Sequence, residues 1–360
     1  MKIALLNLQY DSNYGGNLQR YALMKVLENM GHDVTHLNLR PNFIKDSWPT
    51  MTYKIIRRCI RRFIVRNNES IFPELYNQRL YEQSCSKTEP FYNKYIKHSK
   101  PIYTHKELSR YASKYDAFIV GSDQVWRKAY CCEYGKGTFF LDFLPPTTRT
   151  KRIAYAASMG TDTVEWTIEE AKELKRYYQR FDDVSVREQS SLQLLAKFQW
   201  QSPKAIQTLD PTLLLDIKDY IDLIKKANVN ASPGNMLCYV MDSYADKAKT
   251  IESIAKERHL RPFRVSPHSL EGSVEQFLKS FQDAEYVVTD SYHGMVFSII
   301  FHKPFYLFKN ESRGAARFQS LIDTVFKNVD MSNIDWNVVN ENIQFERSRS
   351  LQFLRTALSS

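Results

Sequence analysis

The sequence predicts an α/β protein of two domains, each built on a parallel sheet with helices on its faces. Short apolar runs alternate with longer amphipathic stretches along most of the chain, which is the pattern of such sheets. The 360 residues exceed what one ordinary hydrophobic core contains. A loop with the sequence Ser232-Pro233-Gly234 separates two series of elements, so the domain boundary is expected between residues 211 and 234.

The first series opens with a βαβ unit. An apolar run over residues 3–8 predicts a strand, and the pair Gly15-Gly16 predicts a turn. Residues 17–30 predict a helix that ends at Gly31, and residues 34–39 predict the next strand. Further strands are predicted over residues 117–120, 153–157, 184–186 and 205–208, with helices over 168–181 and 189–198.

The second series repeats this alternation. Strands are predicted over residues 236–241, 263–266, 286–289 and 305–308, and helices over 245–259, 273–281 and 295–302. We therefore expect an N-terminal domain over residues 1–215, a C-terminal domain over 216–335, and a helical tail over 336–360 that packs back on the N-terminal domain. Ligands of open parallel sheets bind beyond the carboxyl ends of the strands, which directs the search for functional residues to those ends.

Composition narrows the class of protein. The net charge of +10 favours anionic partners, and these include phosphorylated small molecules, acidic glycans and membrane surfaces. No nucleic-acid-binding motif accompanies the charge. The five cysteines lack a C-x-x-C spacing, which argues against disulfides or zinc and fits a reducing cytoplasm. His32 and His36 have no third ligand nearby, so no metal is expected, and no apolar run approaches the length of a transmembrane helix.

The strongest candidate site is the segment from Asp290 to Gly294, which directly follows a predicted strand and precedes a predicted helix. A helix N-terminus attracts phosphate or carboxylate groups. Ser291 offers a hydroxyl, Gly294 allows close approach to the backbone, and His293 binds an anion or transfers a proton near neutral pH. The alternative is a helix cap with a purely structural histidine.

Two other strand ends carry reactive residues. Arg187 has a planar guanidinium suited to carboxylate or phosphate, and a surface ion pair with Glu188 is an equal alternative. Asp123 is placed to accept a proton from a hydroxyl, and Gln124 and Trp126 are residue types that bind sugars. The alternative for this segment is a capped turn with a core tryptophan.

The first turn and the last strand supply weaker candidates. The turn Asn13 to Asn17 can cradle an anion, but it lacks the Rossmann and P-loop spacings, so a plain turn is at least as good an interpretation. Lys309, Arg313 and Arg317 follow the last predicted strand and are candidates for the rim of a cleft, with ordinary surface charge as the alternative.

A basic amphipathic helix is predicted over residues 54–66. Its arginines fall at spacings of three and four, and its apolar residues form another face. Such a helix can lie on an anionic membrane, which would give a peripheral contact at the inner face of the membrane. The alternative, that the apolar face packs on its own domain, is modestly favoured by the sequence.

Taken together, the motifs resemble the polysaccharide pyruvyl transferase family. The matching stretches occur in family order over about residues 1–325 and are Tyr14-Gly15-Gly16-Asn17, Gly121-Ser122-Asp123-Gln124-Val125-Trp126, Tyr155-Ala156-Ala157-Ser158-Met159-Gly160, Ser185-Val186-Arg187-Glu188, Leu209-Asp210-Pro211-Thr212-Leu213-Leu214 and Ser291-Tyr292-His293-Gly294.

The resemblance implies two Rossmann-like domains in a GT-B-like arrangement, with the active site in the interdomain cleft. It also implies phosphoenolpyruvate as donor, bound on the C-terminal side. The implied acceptor is a glycan or lipid-linked sugar of a surface or capsular polysaccharide precursor, bound on the N-terminal side, and the product is a pyruvyl ketal. No cofactor or nucleic acid takes part in that scheme. Two alternatives stay open: a GT-B glycosyltransferase that uses a nucleotide sugar, and a non-catalytic carbohydrate-binding protein.

Carried over to this chain, the resemblance assigns roles to three groups of residues. The catalytic residues would be His293 and Asp123. The donor-binding residues would be Arg187, Ser291, Tyr292, Gly294, Lys309 and Arg313. The acceptor-binding residues would be Asn13, Gly15, Gly16, Asn17, Gln124 and Trp126. Some family members have an arginine where this chain has Ser291, so a cation from elsewhere must serve the donor.

Overall fold

The computed structural model describes residues 1–68, 70–265, 272–308, 315–331 and 333–359, and these form two parallel sheets covered by helices. The first sheet contains β1 (Lys2–Leu6), β2 (Asp33–His36), β3 (Ala117–Val120), β4 (Lys151–Ala157), β5 (Asp183–Val186) and β6 (Ile206–Gln207). The second contains β7 (Met236–Tyr239), β8 (Pro262–Arg264), β9 (Tyr286–Thr289) and β10 (Phe305–Leu307). The predicted α/β architecture is thus confirmed.

Helices connect the strands and cover both faces of each sheet. Those up to the end of the first sheet are α1 (Tyr14–Asn29), α2 (Trp48–Phe63), α3 (Pro73–Cys85), α4 (Glu89–Tyr95), α5 (His105–Ser109), α6 (Lys128–Cys131), α7 (Ile168–Tyr178) and α8 (Gln189–Lys197). The others are α9 (Ile217–Ala227), α10 (Tyr244–Glu257), α11 (Val274–Asp283), α12 (Tyr292–Ile300), α13 (Ala315–Val325) and α14 (Trp336–Ser359). Among the described residues, none of the helices has the length and apolar character needed to cross a membrane.

Strand order defines a switch point in each sheet. The first sheet has the order β2-β1-β3-β4-β5-β6 and the second β10-β9-β7-β8, with every pair parallel. The chain therefore leaves β1 to one side for β2 and to the other side for β3, and it does the same at β7 for β8 and β9. At such reversals the connections diverge and leave a crevice beyond the carboxyl ends of the strands.

One hydrophobic core joins the two halves of the chain. A continuous cluster of buried residues includes side chains of β1, α1, α9, α11 and α12. At its centre, Tyr14 of α1 stacks on Phe277 of α11 with 4.7 Å between ring centroids. The Tyr14 hydroxyl also donates a hydrogen bond of 2.7 Å to the Gly272 carbonyl. The two sheets are thus held together by packed apolar surface, which stabilises the geometry of the crevice between them.

The C-terminal helix α14 returns to the first sheet. Arg347 of α14 donates hydrogen bonds of 2.8 Å to the carbonyls of Leu213 and Leu215. Near the other end of the helix, Lys151 of β4 donates to the Ala357 carbonyl at 3.0 Å. These contacts tie the end of the described chain to the N-terminal half.

The glycine pair near the N-terminus corrects one prediction. Gly15 and Gly16 lie in the first turn of α1 and not in a turn that precedes it, because the helix begins at Tyr14. The side chain of Asn13 caps this helix by accepting a hydrogen bond of 3.2 Å from the Gly16 N–H. Both glycines therefore belong to a capped helix N-terminus.

Candidate active site between the two sheets

Both switch points open into one cleft of 240 Å³. The loops after β1 and β3 line one wall, and the loops after β7 and β9 line the opposite wall, together with α13. The lining residues are Leu8, Asp11, Asn13, Asp123, Gln124, Arg127, Tyr130, Met241, Asp290, Ser291, Tyr292, His293 and Arg317. The topology thus brings together segments that lie far apart in sequence, from Leu8 to Arg317.

The segment Asp290 to Gly294 forms the N-terminus of α12. Ser291 is the N-cap, and its hydroxyl accepts a hydrogen bond of 3.4 Å from the Gly294 N–H. An added Cβ at Gly294 would lie 2.1 Å from the Thr289 hydroxyl oxygen, so only glycine fits this packing. The Asp290 carboxylate, which also lines the cleft, accepts a hydrogen bond of 2.7 Å from the Met241 N–H just after β7. This arrangement aims the positive end of α12 at the cleft.

His293 is buried beneath the cleft, with 6% of its surface exposed. Its Nε2 lies 3.9 Å from a carboxylate oxygen of Asp210 and has no hydrogen-bond partner among the described residues. Burial lowers the pKa of His293 below its ordinary value, although Asp210 and Asp123 act in the opposite direction. The imidazole is therefore neutral near pH 7 before a ligand binds.

The ring of His293 also packs against α1 of the other wall. A Cβ added to Gly15 would lie 2.2 Å from both Cγ and Nδ1 of the ring, well inside van der Waals contact. The absence of a side chain at Gly15 therefore lets α1 and His293 approach each other directly. Gly16 is different, because a Cβ there would meet nothing closer than 3.5 Å.

Asp210 is a central charge of the site to which the sequence pattern assigned no role. It is buried, and it accepts hydrogen bonds from Arg187 at 3.0 Å and from the N–H and hydroxyl of Thr212 at 3.0 and 2.7 Å. Burial by itself would raise the pKa of Asp210, but His293, Arg187 and Thr212 outweigh it and hold the pKa below its ordinary value. Asp210 is therefore an ionised carboxylate behind His293.

Arg187 lies in the same buried network and not on the surface of the cleft. Its side chain is 1% exposed and pairs with Asp210 at 3.0 Å and with Asp123 and Glu188 at 3.5 Å. Its guanidinium also stacks over the Tyr292 ring, 4.3 Å from the centroid. The expected direct grip on a donor is not supported by this placement, because three carboxylates and an aromatic face already surround the cation.

Asp123 faces the cleft from the first sheet. Its backbone is left-handed, with φ of 80°, and its side chain is 14% exposed. The neighbouring Gln124 also lines the cleft, and its carbonyl oxygen accepts a hydrogen bond of 3.0 Å from Arg127. Arg127 in turn pairs with Glu165 at 3.0 Å. A carboxylate and an amide thus stand opposite the N-terminus of α12.

Arg317 of α13 completes the second wall with a cation. It is 7% exposed and lines the cleft beside Ser291 and Tyr292. Burial and the nearby Arg187 lower the pKa of Arg317, although a guanidinium stays charged. The two other basic residues expected here, Lys309 and Arg313, lie outside the described residues.

The predicted acceptor residues divide into two groups. Asn13 and Gln124 line the cleft. Asn17 is fully buried, and its amide donates to the carbonyls of Asp11 and Asn13. Gly15 serves the packing of α1 against His293, and Gly16 lies in the same helix turn with room for a side chain.

Trp126 corrects the prediction of a sugar-stacking residue. It is fully buried, its indole N–H donates to the Phe139 carbonyl at 3.0 Å, and its ring stacks on Phe140 with 5.2 Å between centroids. Because no face of the ring reaches the cleft, Trp126 is a core residue. The cleft wall contains three residues that the sequence pattern did not single out, and these are Asp11, Arg127 and Tyr130.

Two larger cavities lie outside the cleft. One of 540 Å³ lies beside α3 and contains the ion pair of Arg40 with Glu89 at 3.0 Å. Another of 430 Å³ lies behind Tyr292 and includes Arg187 and Asp210. Neither opens at a switch point, and among the described residues no cluster of three or more metal-ligating side chains is found in them or elsewhere.

The fold and the cleft define a GT-B-type protein with two Rossmann-like domains. Solved structures of this class are similar over nearly the whole chain at low sequence identity. A UDP-N-acetylglucosamine 2-epimerase from Rickettsia bellii shares 9% identity, with 99% of this chain and 96% of that chain covered, at a TM-score of 0.51. A UDP-GlcNAc 2-epimerase from Methanocaldococcus jannaschii shares 11% identity, with 96% of this chain and 93% of that chain covered, at a TM-score of 0.48.

The sequence defines the family more narrowly. The chain belongs to the polysaccharide pyruvyl transferase family, because the sequence model of that family matches residues 13–312. This range includes the cleft residues from Asn13 to His293, and Arg317 lies just beyond it. Comparison with curated proteins finds no match.

Proposed function

We propose that the protein transfers pyruvyl from phosphoenolpyruvate to two hydroxyls of a sugar, forming a pyruvyl ketal and releasing phosphate. The acceptor would be a glycan or lipid-linked precursor of a surface or capsular polysaccharide, and the reaction would take place in the cytoplasm. One observation carries the proposal: in a member of the pyruvyl transferase family, a single cleft joins His293, Arg317 and a helix N-terminus to Asp123 on the opposite wall.

The donor would bind on the α12 side of the cleft. Phosphoenolpyruvate is a compact anion near neutral pH, and the N–H groups at the start of α12 favour such a charge. Ser291 adds a hydroxyl, and Arg317 offers a guanidinium suited to carboxylate or phosphate. Arg317 would thus supply the cation that some family members carry at the position of Ser291. Lys309 and Arg313 stay predicted contributors.

His293 would be the general acid of the first step. A phosphate or carboxylate bound beside the ring favours the imidazolium, so donor binding would raise the pKa of His293 and supply the proton that the reaction needs. That proton passes to the methylene carbon of the donor, and positive charge develops at the carbon that bears the phosphate. Asp210, 3.9 Å from Nε2, stabilises the imidazolium from behind.

The acceptor would bind on the Asp123 side. A first sugar hydroxyl would attack the cationic carbon and give up its proton to Asp123, the carboxylate on this wall of the cleft. Phosphate then leaves with the electrons of its C–O bond, and a second hydroxyl closes the ketal. Of the two hydroxyl protons, one ends on the released phosphate and the other restores the imidazolium of His293. Asn13 and Gln124, on the same wall, are suited to hold the sugar through hydrogen bonds. We assign Arg187 a positioning role, because it holds Asp123, Asp210 and Tyr292 in place.

The test is incubation of the purified protein with phosphoenolpyruvate and a panel of acceptor glycans. Phosphate release together with a mass gain of pyruvate on the glycan is the expected result. His293→Ala should abolish turnover while far-ultraviolet circular dichroism stays unchanged, and full activity in that variant would remove His293 from the scheme. Release of a nucleotide from sugar nucleotides, without use of phosphoenolpyruvate, would support a glycosyltransferase instead.

A further inference from the structure

A row of exposed apolar side chains lies on α2, outside the cleft. None of the 16 residues of this helix is buried. Tyr53, Ile56, Ile60 and Phe63 recur at spacings of three and four, so they lie along one side of the helix. Their exposed fractions are 65%, 55%, 49% and 72%. We refer to these four residues as the outer stripe.

The other side of α2 faces the protein. Ile55 and Cys59 are half-buried there. Arg58 makes two hydrogen bonds to the Glu74 carboxylate of α3, at 2.7 and 2.8 Å, which anchor the helix. The outer stripe therefore points away from the protein. The sequence favoured packing of the apolar face of α2 on its own domain, and the structure does not show that packing.

Exposed positive charge accompanies the outer stripe. Arg57, Arg61, Arg62 and Arg66 are exposed on and just after α2, and residues 48–66 contain no acidic side chain. By helical spacing, Arg57 and Arg61 border the stripe directly. The neighbouring helix α3 also exposes apolar side chains, and these are Leu75, Tyr76 and Leu80 at 46%, 59% and 46%.

We propose that α2 docks on an anionic lipid surface. The outer stripe would enter the boundary between headgroups and acyl chains, while the arginines bind lipid phosphates. A second copy of the chain fits less well, because a two-fold contact through this face would bring the same arginines together. The inference rests on α2 alone and does not depend on the chemistry proposed for the cleft.

The experiment is co-sedimentation of the full chain with vesicles of phosphatidylcholine alone or mixed with phosphatidylglycerol. We expect binding to the mixed vesicles only, and weaker binding as salt is raised. The double substitution Arg57→Gln with Arg61→Gln should weaken binding roughly 25-fold, at about fivefold for each arginine. Ile56→Ser with Ile60→Ser should weaken it roughly tenfold or more.

Matched controls come from α7, on the first sheet. Lys172 and Arg176 are exposed there, and Ile168 is 83% exposed. Vesicle binding should be unchanged in the charge control, Lys172→Gln with Arg176→Gln, and in the apolar control, Ile168→Ser. Thermal melts of all variants confirm that each is folded.

Four results would overturn the proposal. The first is that the unmodified chain does not bind the mixed vesicles, and the second is that it binds neutral vesicles equally well. The third is that the α2 and α7 variants lose vesicle binding to the same extent. The fourth is a dimer by light scattering that Ile56→Ser with Ile60→Ser dissociates, without vesicle binding, since that would make a second copy of the chain the occupant of this face.

Discussion

Gly15→Ala should lower activity by displacing His293, the proposed general acid, whose ring packs against α1 at this position. A Cβ at this position would lie 2.2 Å from the His293 ring, whereas ordinary contact begins near 3.4 Å, so the ring and α1 must separate by roughly 1 Å. A displacement of that size at a catalytic group costs about 100-fold in rate. Overpacking costs about 1–3 kcal/mol, and the gain in helix propensity offsets up to about 1 kcal/mol of it. We therefore expect a modest loss of stability and a large loss of activity.

Gly16→Ala is the matched control for this prediction. It makes the same chemical change one residue further along the same helix turn, where a Cβ would meet nothing closer than 3.5 Å. It should keep full activity and gain up to about 1 kcal/mol in unfolding free energy from helix propensity. The assay is phosphate release at saturating donor, with urea unfolding for stability. If Gly15→Ala retains the activity of Gly16→Ala, the close approach of α1 to His293 has no functional meaning.

Three further predictions follow from the charges of the structure. Donor binding above pH 7 should be accompanied by the uptake of close to one proton, because His293 is neutral before the donor binds. Calorimetry in two buffers of different ionisation enthalpy measures this uptake. The same uptake in His293→Ala would exclude His293 as the group that takes up the proton. Stability should fall as the pH drops below about 6.5, because burial depresses the pKa of His36 in the folded state while the unfolded chain binds the proton. Urea unfolding at pH 7.5 and 5.5 measures this loss of unfolding free energy. His36→Asn, whose amide oxygen can still accept a hydrogen bond from the Tyr92 hydroxyl, should reduce the loss between the two pH values. A loss in His36→Asn as large as that of the unmodified chain would contradict the prediction. Asp210→Asn should cost about 1–3 kcal/mol, because it weakens the charge-assisted hydrogen bond from Arg187 while Asp123 and Glu188 still compensate that cation, and a melting temperature equal to that of the unmodified chain would refute the buried-charge argument.

Much of the fold could be predicted from local pattern, because periodicity is a property of neighbouring residues. The predicted strands appear near their expected positions, and the helix after β9 places His293 at its N-terminus. Errors occurred where local signals were ambiguous. The glycine pair is typical of a turn, and only its packing against His293 explains why it lies inside α1.

The contents of the site were harder to predict, because they depend on contacts between distant segments. Asp123 and His293 were expected in the cleft, and the structure places both there. Trp126 follows Asp123 by only three residues, yet the turn at Asp123 sends it into the core. Asp210 carries no local sign of its place behind His293.

The sequence by itself determined the alternation of strands and helices, the family, and the capped helix that holds His293, since each of these depends on short runs of residues. Only the tertiary structure decided which side chains meet. It placed Arg317 beside Ser291, enclosed Arg187 among three carboxylates, and turned the apolar side of α2 outward. The physical reason is that the orientation of a side chain depends on the surface against which its element packs, and that surface comes from residues far away in the chain.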